Sequence, residues 1–372
     1  MTQDLHTYRE IRQQPLVWGK AYDIILAQKA EIRAFLDSNF DKDFTVVLTG
    51  AGTSAYIGDA LEMALSRINR GIRAIATTDI ITDPGMFFDK DSKVLLVSFA
   101  RSGNSPESVG TVKAVEKTAG KVAHIFITCN ENGELARMKG SNILTILLPR
   151  ETNDVSLAMT SSYSTMLLVC SMIARIDHIE EDRESIALLS AQVEKAMNRY
   201  EAQIKEIAER SFTRAIFLGS RHLKGEAEES RLKLQELTDG AVMCTYDSFL
   251  GFRHGPKALV NPESLLVYLL SPKPEVQRYE LDLIRQIKSN NHVKASVIIC
   301  QQKPAGLEED CYDLCVEIGL ENTVEDYYSC VSYIFVGQLL GLYKSLDKGL
   351  CPDSPSVSGN ISRVVEGVKL YI

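Results

Sequence analysis

The chain has 372 residues, 45% hydrophobic and 24% charged, which is the balance of a globular protein of about two domains and not of a disordered chain. Its 41 Lys+Arg against 49 Asp+Glu give a net charge of −8, which excludes a general nucleic-acid footprint but leaves room for a local pocket that holds a small anion. No run of about 18 apolar residues occurs, so no membrane span is expected, and the polar start MTQDLHTYREIRQQPLVWGK is not expected to act as a signal peptide.

In chain order, residues 1–40 read as a helical preface, with Trp18 expected to anchor it against the core. Four β-branched runs follow that read as buried strands: VVLT (46–49), KVLLVSF (93–99), VAHIFIT (122–128) and NILTILL (142–148). Helical spacing fills residues 54–69 and 105–119 between them, giving the rhythm of a parallel sheet with helices on both faces. An apolar helix over 161–177 closes this unit, and a long amphipathic helix over 180–209 leads into the next. The rhythm then repeats about 170 residues downstream. RAIFLGS (214–220) echoes TVVLTGAGTS (45–54), and ESLLVYLLSPKPE (263–275) echoes SKVLLVSFARSGN (92–104). VKASVIIC (293–300) echoes KVAHIFIT (121–128), and YDLCVEIG (312–319) echoes NILTILLP (142–149). Four ordered echoes at one offset predict two copies of one α/β unit, each a flavodoxin-like three-layer sandwich. The expected division is a helical segment 1–40, a first α/β domain 41–180, a second 181–350 and an extended tail 351–372 rich in Pro, Ser and Gly.

The eight cysteines are scattered, several within apolar runs, which predicts buried free thiols in a reducing, cytoplasmic setting. Cys311 and Cys315 are four apart, but no His or Cys pair lies nearby, so no metal site is expected.

Chemistry concentrates in three places. TGAGTSAY (49–56) ends a strand, turns on glycines and opens a helix at Thr53–Ser54, after Gly52, so backbone N–H groups and the helix dipole there favour an anion. It is neither the dinucleotide fingerprint nor a Walker A loop. VSFARSGNSPES (97–108) also leaves a strand for a helix and carries Arg101, Ser102, Ser105 and Ser108. Two such loops at the carboxyl ends of adjacent parallel strands converge on the crevice where these sheets bind ligands, and together they predict a phosphate cradle. The second copy has GSRH and LLSPKP at the equivalent places and lacks this chemistry. It holds instead RLKLQELTDGAVMCTYDSFLGFRHGPKALV (231–260), in which Lys233 and Glu236 share a helix face and His254 sits in a turn set by Gly255–Pro256. A Lys–Glu pair at this spacing is ordinarily a solvated surface pair. Beside a phosphate cradle, a carboxylate and an imidazole match what proton transfer next to a carbonyl requires. His6, His124, His178, His222 and His292 have no assigned role, and Tyr327–Tyr328 read as structural.

GAGTS, the S-x-G-x-S loop, K-L-x-E-L and HGP in this order resemble the sugar isomerase (SIS) superfamily. The duplicated form is similar to the isomerase half of glucosamine-6-phosphate synthase, and closer still to the AgaS family of galactosamine-6-phosphate deaminases and tagatose-6-phosphate aldose/ketose isomerases. The resemblance spans roughly residues 40–372 and implies two tandem SIS domains. It implies a phosphate site at Gly52, Thr53, Ser54, Ala100, Arg101, Ser102 and Ser105. Glu236 then resembles the carboxylate that moves a proton between C1 and C2, and His254 the ring-opening acid/base, often supplied by a neighbouring subunit. Lys233 matches a lysine that helps the hydroxyl or amine chemistry. SLAMTSSYS (156–164) matches a segment lining the sugar pocket, with Ala158, Thr160, Ser161 and the tail's Arg363 as candidate sugar contacts.

Three positions depart from the synthase pattern. Arg101 stands where the synthase has Gln, and Ser161 replaces a lysine. Arg363 is the nearest match to a tail lysine that forms an imine with the ketose, a bond arginine does not make.

No glutaminase segment precedes the first α/β unit and position 2 is Thr2, so ammonia is expected to leave, not to enter. The expected reaction converts galactosamine 6-phosphate to tagatose 6-phosphate and ammonia, with no cofactor and no metal, in a homo-oligomer with a shared site. The alternatives are aldose–ketose isomerisation of tagatose or fructose 6-phosphate, deamination of glucosamine 6-phosphate, or a sensor that binds a sugar phosphate without turnover.

Overall fold

The computed structural model describes residues 2–290, 292–320, 324–365 and 367–371. Among the described residues ten strands form two five-stranded sheets, every pairing parallel. The first sheet contains β1 (Thr45–Thr49), β2 (Ile72–Ala74), β3 (Lys93–Ala100), β4 (Lys121–Thr128) and β5 (Ile143–Leu147), in the order β2-β1-β3-β4-β5. The second contains β6 (Arg214–Gly219), β7 (Met243–Asp247), β8 (Ser264–Leu269), β9 (Ala295–Cys300) and β10 (Leu314–Glu317), in the order β10-β9-β8-β6-β7. Read from the other edge, this is the order of the first sheet, so the echoes in the sequence are a duplicated topology.

Both sheets are covered on both faces, which is why their central strands read as continuous apolar runs. Val47, Leu96 and Phe126 pack on one face of the first sheet with Val109, Val112 and Val115 of the helix Pro106–Thr118. In the second, Ile216, Leu266 and Ile298 pack with Leu281, Ile284 and Ile287 of the helix Pro274–Asn290. The eight strands expected from the sequence are present. β2 and β7 escaped it: β2 is three residues long, and β7 is a half-exposed edge strand without an apolar run.

The preface is three helices, His6–Arg12, Gln14–Ala27 and Lys29–Asn39. Trp18 is fully buried and its indole N–H donates to Ser164 Oγ at 3.0 Å, the expected anchor. The two compact units draw on interleaved segments. One comprises Met1–Pro15, Val155–Ala158 and Ala187–Ile361; the other comprises Leu16–Asp154, Met159–Ile186 and Ser362–Ile372. All eight cysteines are free. Among the described residues no helix is long and apolar enough to cross a membrane.

Candidate active site

In the unit that holds the first sheet, the strand order reverses direction at β1, so the loops after β1 and β3 diverge and open a crevice between them. The turn after β1 is forced by two glycines. A Cβ on Gly50 would lie 2.5 Å from the Ser54 backbone, and Gly52 has φ +56°, a conformation side-chain-bearing residues rarely adopt. Thr53 and Ser54 then start the helix Thr53–Leu65, both buried, with its first N–H groups facing the crevice end of the sheet.

The loop after β3 turns at Gly103, φ +67°, and is pinned from behind. Asn130 donates to the Ser102 carbonyl at 2.9 Å and Leu135 N to the Gly103 carbonyl at 3.1 Å. Ser105 caps the helix Pro106–Thr118: its Oγ accepts from Ser108 N and bonds Ser108 Oγ at 2.6 Å. Pro106 at the first helical position suits the fixed φ required there.

These loops enclose a cavity of about 130 Å³ lined by Ser54, Arg101, Ser102, Ser105, Ser108 and Met159, with Arg363, Val364 and Val365 of the tail. That is well below the roughly 300 Å³ of sites that enclose a drug-sized ligand, and it suits one anionic group with hydroxyls, amides and a guanidinium around it. A larger cavity of about 570 Å³ lies against the sheet face formed by Val46, Leu48, Leu95, Val97 and Ile125, but its wall is mostly apolar and holds none of these hydroxyls.

The tail is part of this site. Arg101 donates to the Arg363 carbonyl at 2.6 Å, and the Arg363 guanidinium donates to the Asp154 carbonyl and to Asn153 Oδ1. Thr160 and Ser161 are fully buried and turn to the Asp154 carboxylate, which accepts from Thr160 N at 2.8 Å and Ser161 Oγ at 2.5 Å. Neither side chain lines the cavity, and Ala158 belongs to the other compact unit. Asp154 was missed from the sequence, and Met159 entered it only as part of the segment 156–164. An acidic residue shortly before S/T-rich helix-start residues was the available signal for Asp154.

Lys233, Glu236 and His254 lie in the unit that holds the second sheet. Lys233 and Glu236 are on the helix Leu223–Leu237, and their pairing is not the solvated one that their spacing predicts. The helix Ile334–Asp347 crosses so closely that a Cβ on Gly337 would meet Ser230 at 2.6 Å and one on Gly341 the Lys233 carbonyl at 2.9 Å. Lys233 is entirely buried beneath it, 3.2 Å from Glu229 and 2.8 Å from Glu236 Oε2. Burial pulls the ammonium down, but Glu229 and Glu236 outweigh it and hold Lys233 above the ordinary lysine range. Glu236 keeps 22% of its side chain exposed, so it can meet a ligand while one oxygen stays fixed. His254 is exposed, in the turn between the helix Phe249–Phe252 and Gly255, where φ is +125°.

Among the described residues, Glu308, Asp310 and Cys311 are grouped closely enough for a metal ion, but the two carboxylates are exposed and Cys315 is not among them. Burial pushes the Cys129 thiol, which feels the charges of Asp154, Arg101 and Arg363, up to about 12.

An SIS domain model matches residues 40–176, the stretch that carries the first sheet and the loops after β1 and β3. An AgaS relative from Streptomyces coelicolor is 39% identical, over 99% of this chain and 95% of its own. The D-galactosamine-6-phosphate deaminase AgaS of Escherichia coli is 34% identical, over 98% and 95%. The crystal structure of tagatose-6-phosphate ketose/aldose isomerase from Escherichia coli matches with a TM-score of 0.88 and 31% identity, covering 99% of this chain and 96% of that one. With near-full-length identity above 30% and the duplicated sheet order, this chain belongs to the AgaS family of SIS-domain proteins.

Proposed function

We propose that the chain deaminates and isomerises an amino-sugar phosphate, converting galactosamine 6-phosphate to tagatose 6-phosphate and ammonia. The observation that carries this is the Lys233–Glu236 pair: a half-buried carboxylate with one oxygen held by a buried ammonium and the other available to a ligand. The substrate's identity rests on the names of the relatives.

In this reading the sugar's phosphate docks among Ser54, Ser102 and Ser105 with Arg101 beside it. His254 protonates the ring oxygen and opens the ring. Glu236 takes the proton from C2 and returns it to C1, turning the open-chain aldehyde into a C2 imine by way of an enolamine. Water then adds to C2 and ammonium leaves. No step runs through an imine with the tail, because Arg363 stays protonated. The reading also places the enzyme in the cytoplasm as a homo-oligomer, at least a dimer, with His254 and Glu236 of one site supplied by different subunits.

The test is to incubate purified protein with galactosamine 6-phosphate and to measure ammonium and tagatose 6-phosphate. Glu236→Gln is expected to lower kcat by about 10²–10⁴-fold. Near-native turnover in that variant removes the assignment. The name of the Escherichia coli structure favours a second reading, aldose–ketose isomerisation of the unsubstituted sugar. Exchange of tagatose 6-phosphate with its aldose and no ammonium release selects it.

A further inference from the structure

The second sheet has its own switch point, between the loops that follow β6 and β8. The ladders align β6 with β1, setting Gly219 in the place of Gly50 and Arg221 in that of Gly52. The turn is conserved in shape. A Cβ on Gly219 would meet the Leu223 backbone four residues on, as one on Gly50 would meet that of Ser54. Arg221 has φ +57° against +56° for Gly52. An arginine is thus held in a conformation that glycine adopts freely and other residues rarely do. Strain of this kind persists where the surrounding structure demands the side chain.

Around this turn the crevice is lined by charge. Arg221 and His222 precede the 15-residue helix Leu223–Leu237, whose N-terminus follows the carboxyl end of β6. Ser271 and Lys273 come from the loop after β8. Among these groups lies the carboxylate of Asp326, the first residue of the helix Asp326–Ser329. Its Oδ2 is 3.0 Å from Lys273 Nζ and 3.8 Å from the Arg221 guanidinium. His222 is 2% exposed and its Nδ1 meets no hydrogen-bond partner among the described residues. Burial pushes the Asp326 carboxyl up, and His222, Lys273 and Arg221 more than offset it and hold it below its ordinary range. Glu280 backs the crevice from the helix Pro274–Asn290, accepting from Ser271 N at 3.0 Å.

We infer that this crevice is a second anion cradle whose ligand is the chain's own Asp326 carboxylate, and that a phosphate-type oxyanion takes its place once that carboxylate is removed. Two cations, a helix N-terminus and a left-handed turn form the site, and one carboxylate fills it. The duplication therefore leaves each chain with one cradle open to an external phosphate and one closed from within.

Isothermal titration with inorganic phosphate tests this by comparison with the native chain, whatever the native count is. Asp326→Ala is expected to bind one more phosphate per chain than the native protein, and Asp326→Ala with Lys273→Gln to lose that extra site. A folded Asp326→Ala protein with the native count overturns the inference. So does an extra site that survives Lys273→Gln. If Asp326→Ala does not fold in chloride, refolding in phosphate at matched ionic strength decides it: recovery of Asp326→Ala but not of Asp326→Ala with Lys273→Gln supports a second cradle that needs its anion, and recovery of both or of neither refutes it.

Discussion

Lys233 shows how far a residue's environment changes its meaning. On an exposed helix, a lysine and a glutamate three residues apart are worth about 0.2–0.5 kcal/mol. Here the ammonium is sealed under a second helix between two carboxylates, and removing one member of such a buried pair costs about 3–5 kcal/mol. Lys233→Met is therefore expected to lower the unfolding free energy from urea melts by that order and to abolish turnover, whereas Glu236→Gln lowers turnover with a much smaller loss of stability. Glu280 gives a second prediction at this scale. Burial pushes its carboxyl from 4.5 up to about 7. The unfolded chain ionises first, so the stabilising contribution of the protonated form is complete below pH 4.5 and is lost as pH rises through 7, by about 3 kcal/mol. Glu280→Gln should flatten that part of the Tm–pH curve and melt higher than the native chain at pH 8. An unchanged slope would mean that Glu280 is ionised in the fold.

Between elements, the proposed cradle depends on parts that line no cavity. Gly133, in the loop after β4, leaves room for the Ser102 carbonyl, which a Cβ there would approach to 2.5 Å. Its φ of −67° suits alanine, so Gly133→Ala acts through crowding, against the Ser102 carbonyl first and then Gly103 Cα at 3.1 Å and the Asn130 carbonyl at 3.2 Å. The expected result is a several-fold rise in KM for the sugar phosphate, with kcat and Tm near native. Asp154 ties three elements together. Its carboxylate caps the helix Ser161–Ala174 through Thr160 N and Ser162 N, and its carbonyl receives Arg363 of the tail. Asp154→Ala strips buried donors of their acceptor, at about 1–3 kcal/mol each, and should lower both the urea midpoint and phosphate affinity. Arg363→Ala keeps the carboxylate cap and should lower affinity alone.

At the scale of the whole chain, the proposed reading gives the two copies different tasks. One switch point carries hydroxyls around a cavity; the other carries charged groups around Asp326. The proposed chemistry needs Glu236 and His254 at one sugar, and their supply by different subunits is a prediction about assembly. Co-refolding Glu236→Ala chains with His254→Ala chains should restore part of the activity that each lacks. A chain that sediments as a monomer while fully active would end the shared-site proposal.

The amino-acid sequence by itself determined the strands that are buried on both faces, because burial on two sides demands the unbroken apolar runs seen in KVLLVSF or VKASVIIC. It also determined the repeat and the glycine- and serine-rich turns of the first cradle, since φ/ψ preference and helix capping act within a few residues. β2 and β7 were not legible, because a short or half-exposed edge strand is defined by its neighbour and not by its own pattern. The tertiary structure alone decided that Lys233 is buried, because the glycines that let a helix cover it lie about 100 residues away. It decided likewise that Thr160 and Ser161 turn to Asp154, that the tail's Arg363 closes the cradle, and that Asp326 fills the second crevice. These are contacts between distant segments, fixed by how packed elements bring charges and hydroxyls together, and no local preference of the chain encodes them.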